Sequence, residues 1–315
     1  MLLQEVLEIY QLIDQPGRPI NQITELLDKN GVKKENLQST IVNEESGSTD
    51  FIKITFPGIH GKQKGGKAPT LGIIGRLGGL GARPAVIGLV SDGDGALTAL
   101  STALKLARMQ KLGDVFEGDI IIATHICTNA PTVAHEPVPF MGSPVDLSTM
   151  NNYEVDSRMD AILSVDTSRG NRIINHFGFA ISPTVKEGYI LRVSEDLLTI
   201  MEIATGKLPV TFPLTTQDIT PYGNGLYHFN SILQPAVAVK IPVVGVAITS
   251  EVAVPGCGTG ASNASQIEQV GRFLIEVAQS FGKNKCHFYD SKEFKMLTNK
   301  YGSMEHLQTF GKSTR

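Results

Sequence analysis

Two hydrophobic patterns divide the chain. At the N-terminus Leu3, Val6, Leu7, Tyr10 and Leu12 recur near helical spacing, and Gln15-Pro16-Gly17 stops the run. A second helical segment, INQITELLDKNG, closes on Asn30-Gly31, a good C-terminal stop. From DFIKITFPG onward the period changes. Apolar runs of strand length follow at TLGIIG (70–75), AVIGLV (85–90), DIIIAT (119–124) and DAILSV (160–165). Three more stand at GYILRV (188–193), AVAVKI (236–241) and PVVGVAIT (242–249). Runs with so little polar alternation suit strands buried on both faces.

Helical patterns fall between these runs at 95–110, at 195–205 and at 265–281, where Ser265 and Glu268 have the spacing of a capping box. Alternating strands and helices predict an α/β fold, a three-layer sandwich with a mixed, mostly parallel sheet, over residues 51–285. Residues 1–50 form an N-terminal helical extension, and 286–315 a C-terminal helix and tail.

Composition narrows the partners. A formal charge of −3 leaves no electrostatic footprint for nucleic acid or an anionic membrane, so the N-terminal helix pair is expected to be a packing or oligomer element, not a DNA reader. No apolar run approaches the roughly 20 residues that span a bilayer. The N-terminus carries acidic residues without a basic leader. Three cysteines, Cys127, Cys257 and Cys286, form no disulfide framework, and a cytoplasmic protein is the default expectation.

The chemistry concentrates in LVSDGDGALTALSTALKLARM, residues 89–109, where Asp92 and Asp94 sit between an apolar run and a strong helix. Ligands of open α/β sheets bind beyond the carboxyl ends of strands, which is where these carboxylates fall. Capping the helix is the plain alternative for either of them.

The wider order of elements, through GDIIIAT, DAILSVDTS and KIPVVGVAIT, resembles the zinc aminopeptidase and carboxypeptidase superfamily over roughly residues 55–285. The chain also resembles a family of uncharacterised bacterial and archaeal proteins known only as a domain of unknown function. The peptidase resemblance implies two zinc ions, five ligand positions and a glutamate base, with the metals about 3.5–4 Å apart. At those positions this chain has Arg76 and Gly78 for the first His and Asp, and Ser91 then Asp92 in the bridging motif. HICTNAPT replaces the paired glutamates, Asp166 keeps the later Asp, and PGCGTGASNAS contains no final His. Di-zinc hydrolysis is therefore not expected. The cofactor expectation is none or a single divalent metal, held by Asp92, His125 and Asp166.

Two further constellations lie at the same sheet edge. Cys127 in HICTNAP and Cys257 in VPGCGTG resemble the cysteine settings of glutamate and hydantoin racemases, where one thiolate removes an α-proton and one thiol returns it. Two small buried apolar residues are the alternative. PGCGTGASNAS, with Gly256, Gly258 and Ser262, offers backbone N–H groups for an anion, and Arg76, Asp94 and Asn129 complete the candidate ligand-binding set. Residues 132–152 form a long loop with His135 and Glu136, while His60, His176, His228 and His287 are expected to be packing or surface histidines.

Three functions stay open: a divergent hydrolase of a small amide or peptide using Asp92, Asp166 and His125; a two-cysteine racemase; and a non-catalytic binder of an anionic metabolite or partner. A small-molecule ligand and a homo-oligomer are expected, the latter from the resemblance and the apolar N-terminal helices.

Overall fold

The computed structural model describes residues 1–309 apart from 16, 46, 77–87, 129, 135, 137–139, 229–230 and 255–261. In chain order the elements begin with α1 (Leu3–Ile13), α2 (Ile20–Lys29), β1 (Leu37–Glu44), β2 (Gly47–Phe56), β3 (Leu71–Gly75) and α3 (Asp94–Lys111). They continue with β4 (Ile120–Ile126), β5 (Thr132–Val133), β6 (Phe140–Met141), α4 (Leu147–Glu154), β7 (Ala161–Ser168) and β8 (Gly178–Ile181). Last come β9 (Val185–Lys186), β10 (Tyr189–Ile190), α5 (Glu195–Thr205), β11 (Val243–Thr249), α6 (Ala264–Gly282) and α7 (Ser291–Tyr301).

Nine strands form one mixed sheet in the order β1-β2-β4-β3-β7-β11-β9-β10, with β8 also paired to β11. Only the central four, β4, β3, β7 and β11, run parallel; their flanks are antiparallel, so the parallel share is smaller than the sequence pattern suggests. Every residue of β3, β4 and β11 is buried, which explains their unbroken apolar runs.

Alternation sorts the side chains onto two faces. Ile73, Ile122, Leu163 and Val246 join the large cluster that α1, α3 and α6 also enter, while Ile74, Ile121, Ile162 and Ala247 join a second cluster with Phe212 and Ile232. Val6, Ile9 and Ile13, with Leu2 just before the helix, pack α1 into the first cluster. Residues 37–44 of the same N-terminal segment form a strand, hairpin-paired to β2 across residue 50.

Gly95 lets the first turn of α3 press on the strand ends. A Cβ there would stand 2.2 Å from the Arg76 carbonyl oxygen and 2.8 Å from that of Val165. This contact brings Asp92 and Asp94 to the carboxyl ends of β3 and β7.

Three sequence expectations change. AVAVKI is no strand, because Pro235 opens a 3₁₀ turn over Gln234–Val237 whose apolar residues are buried all the same. GYILRV contributes only Tyr189–Ile190, in a two-residue hairpin turned by Glu187 and Gly188 at φ 50 and 79. The cap of α6 is Asn263, which accepts from the Ser265 and Gln266 N–H groups; Glu268 instead binds Leu2 N at 3.1 Å and Arg272 Nε at 3.0 Å. Of AVIGLV, residues 85–87 lie outside the described residues and 88–90 belong to none of the named strands. Among the described residues no helix is long and apolar enough to cross a membrane.

Candidate functional site

The carboxyl ends of β3, β4 and β7 carry a buried polar cluster, fed from above by the turn before α3. Period-two alternation puts Arg76, just past β3, on the second face with Ser164 and Asp166 of β7 and His125 of β4, whereas Thr167 and Arg169 turn to the face of α3.

On the second face Arg76, Glu154 and His125 form an enclosed network. Arg76 Nη1 donates to Glu154 Oε2 at 2.5 Å, and His125 Nδ1 lies 2.5 Å from Glu154 Oε1. The Arg76 and Glu154 side chains are fully inaccessible. Burial opposes ionisation of Glu154, but the charges and hydrogen bonds of Arg76 and His125 outweigh it and hold the carboxyl below its usual range. Phe51 packs its ring 5.5 Å from that of His125.

Around Thr167 two aspartates meet. Its N–H donates to Asp166 Oδ1 at 2.7 Å, and its hydroxyl reaches Asp92 Oδ1 at 3.5 Å. Asp166 Oδ2 accepts from Ser231 at 2.8 Å and Asp92 Oδ2 from Met141 N at 2.9 Å. Burial pushes Asp166 up to about 7 against the pull of Ser231, Thr167 and Arg76, and the Asp92 charge adds to the rise. Burial raises Asp92 as well. The Asp166 charge also acts on Tyr222: burial first, then that charge, raise its phenol.

Asp94 belongs to a third group. It is paired with Arg169, accepts from Ser262 Oγ at 2.5 Å, and burial pushes it up to about 7 despite both partners. A buried carboxyl near neutrality is suited to giving or taking a proton at physiological pH.

The candidate residues therefore separate. Asp92 and Asp166 are together; Asp94 and Ser262 are together with Arg169; Arg76 and His125 share Glu154. Cys127 is buried in an apolar cluster with Val90, Ala130 and Met141. Asn129, Cys257, Gly256 and Gly258 lie outside the described residues, as does His135. His60 and His287 pair with Glu117 and Asp196, and His228 pairs with Thr220 with its ring 4.7 Å from that of Tyr222.

The single-metal candidates are engaged as follows. Asp92 and Asp166 spend their oxygens on N–H and O–H donors, His125 is bonded through Nδ1 to Glu154, and among the described residues no group of three His, Cys, Asp or Glu is placed to hold a metal.

Sequence reasoning missed Glu154, Thr167, Arg169 and Ser231. For Thr167 and Arg169 a signal existed, since DTSR prolongs the strand alternation past Asp166. None existed for Glu154, 78 residues from Arg76, or for Ser231, 65 residues from Asp166.

A family model described as "Protein of unknown function (DUF1177)" matches residues 40–311. The chain belongs to the DUF1177 family. This agrees with the resemblance to an uncharacterised family. None of the curated proteins compared with the chain matches it. Every residue of the polar cluster lies within the DUF1177 span, whereas α1 and α2 precede it.

Proposed function

We propose that this DUF1177 protein is a hydrolase-like enzyme for a small amide, peptide or related anionic metabolite, in which Asp92 and Asp166 move the protons. The single observation that carries this is the meeting of the two buried aspartates around Thr167 at the carboxyl ends of the parallel strands. The charge of Asp92 adds to the rise of Asp166, so ionisation of one carboxyl favours a proton on the other. The ionised carboxyl takes a proton from water as the water oxygen attacks the amide carbon. The protonated one delivers its proton to the leaving amine as the C–N bond breaks. Water is consumed, and a carboxylic acid and an amine are released.

A three-layer, aminopeptidase-like scaffold is part of the proposal. It is supported by two buried sheet faces, one covered by α3 and α6, and by the element order of the chain. We also propose a cytoplasmic homo-oligomer taking a small molecule and neither nucleic acid nor membrane. A net charge of −3 supports the last part, and the exposed Met1, with Leu7 of the first helix, supports self-association.

Amine release from a panel of acylated amines and dipeptides, followed from about pH 5 to about pH 9, tests it. Turnover is expected, and Asp92→Asn and Asp166→Asn should each lower kcat by about 100-fold or more. Absence of turnover, or unchanged kcat in both folded variants, overturns the hydrolase; ligand binding without turnover would then leave the non-catalytic binder.

A further inference from the structure

We infer that the site recognises its substrate by a carboxylate seated on the free edge of Arg76. This rests on the hydrolase reading above and names the substrate class: a small amide that also bears a carboxylate, such as an acylated amino acid.

Arg76 has committed only Nη1, to Glu154 at 2.5 Å and Asn151 at 3.5 Å. Its Nε and Nη2 are buried without a hydrogen-bond partner among the described residues, in a side chain with 0% exposure. Those two N–H groups lie parallel along one edge of the planar guanidinium. That edge matches the two oxygens of a carboxylate and forms the bidentate pair for which arginine is suited. Buried polar groups are nearly always satisfied, so two unmet donors on one edge mark the place of a missing acceptor.

A second orphan stands on the same face. Ser164 Oγ is buried and also lacks a partner among the described residues. Ser164 is registered opposite Ile74, two residues before Arg76, and Asp166 follows two residues after Ser164. Arg76, Ser164 and Asp166 thus share one face of neighbouring strands, and the Arg76 charge acts on Asp166. A carboxylate on Arg76 brings the rest of its molecule to the aspartate pair.

Charge favours a carboxylate over a phosphate. Glu154 already neutralises Arg76, and Asp92 and Asp166 stand nearby. A second full negative charge in so enclosed a place meets repulsion that a monoanion avoids.

The test uses the full chain with three probes: N-acetylalanine, its neutral amide N-acetylalaninamide, and inorganic phosphate, each titrated by calorimetry. N-acetylalanine is expected to bind, and the amide and phosphate at least about 10-fold more weakly. Arg76→Lys keeps a cation for Glu154 but removes the two-pronged edge, and should weaken N-acetylalanine by about 10-fold or more. Ser164→Ala, which leaves the Arg76–Glu154 pair intact, should weaken it by about 3-fold and decides the matter if Arg76→Lys does not fold. No binding of N-acetylalanine, equal binding of its amide or of phosphate, or affinity unchanged by these substitutions overturns the inference. Turnover of uncharged amides dependent on Asp92 and Asp166, without carboxylate recognition, overturns this inference alone. Carboxylate binding without turnover overturns the hydrolase alone.

Discussion

Replacing Asp166 by Asn should make the folded protein more stable than the wild type at neutral and higher pH, and the excess should grow with pH. In the fold Asp166 is raised from 3.8 to about 7, chiefly by burial. A carboxyl raised on folding binds its proton more tightly in the native state, so its contribution is complete below about pH 4 and is lost as pH climbs to about 7. Three pH units at about 1.4 kcal/mol each make this about 4 kcal/mol, of which about 3 kcal/mol falls between pH 5 and pH 8. The Asn side chain keeps an acceptor for Thr167 N and offers an amide donor to Ser231 Oγ, so the change at low pH should stay within about 1 kcal/mol. The chain has no tryptophan, so urea unfolding is best followed by far-ultraviolet circular dichroism, on both proteins at pH 5 and pH 8. Groups that do not act on Asp166 are common to both and largely cancel in the difference; Asp92, relieved of the Asp166 charge in the variant, shifts the difference in the same direction. A difference that does not change with pH, or a wild type that gains on the variant as pH rises, refutes the reasoning. Either result would mean that Arg76 outweighs burial and holds Asp166 ionised.

Three further outcomes follow from packing and charge. Arg76→Met leaves Glu154 buried without its cation and should cost about 3–5 kcal/mol by urea unfolding at neutral pH, partly restored by adding Glu154→Gln. Gly95→Ala, which in an open helix gains up to about 1 kcal/mol, should here lower the melting temperature sharply, because its Cβ meets the carbonyl oxygens of Arg76 and Val165 at 2.2 Å and 2.8 Å. Cys286, whose thiol burial pushes up to about 12, should resist iodoacetamide in the native protein and react after unfolding, as read by mass spectrometry.

Local sequence determined the elements whose burial is written into their composition. β3, β4, β7 and β11 read as strands because both faces are covered, and α3, α5 and α6 because apolar residues recur at helical spacing between turn signals. Where burial and backbone geometry part company the pattern misleads: Ala236 and Val237 are as apolar as a strand, yet they follow Pro235 into a 3₁₀ turn. The placing of Asp92, Asp94 and Asp166 near strand ends was legible for the same local reason. Tertiary structure alone decided their company. Asp94 meets Arg169 from 75 residues away, and His125 and Arg76 share a glutamate at the end of α4. Only folding shows that the Nε–Nη2 edge of Arg76 lacks a partner among the described residues. Hydrogen bonds and desolvation depend on which atoms become neighbours once water is removed, and that is a property of the packed chain, not of any short segment within it.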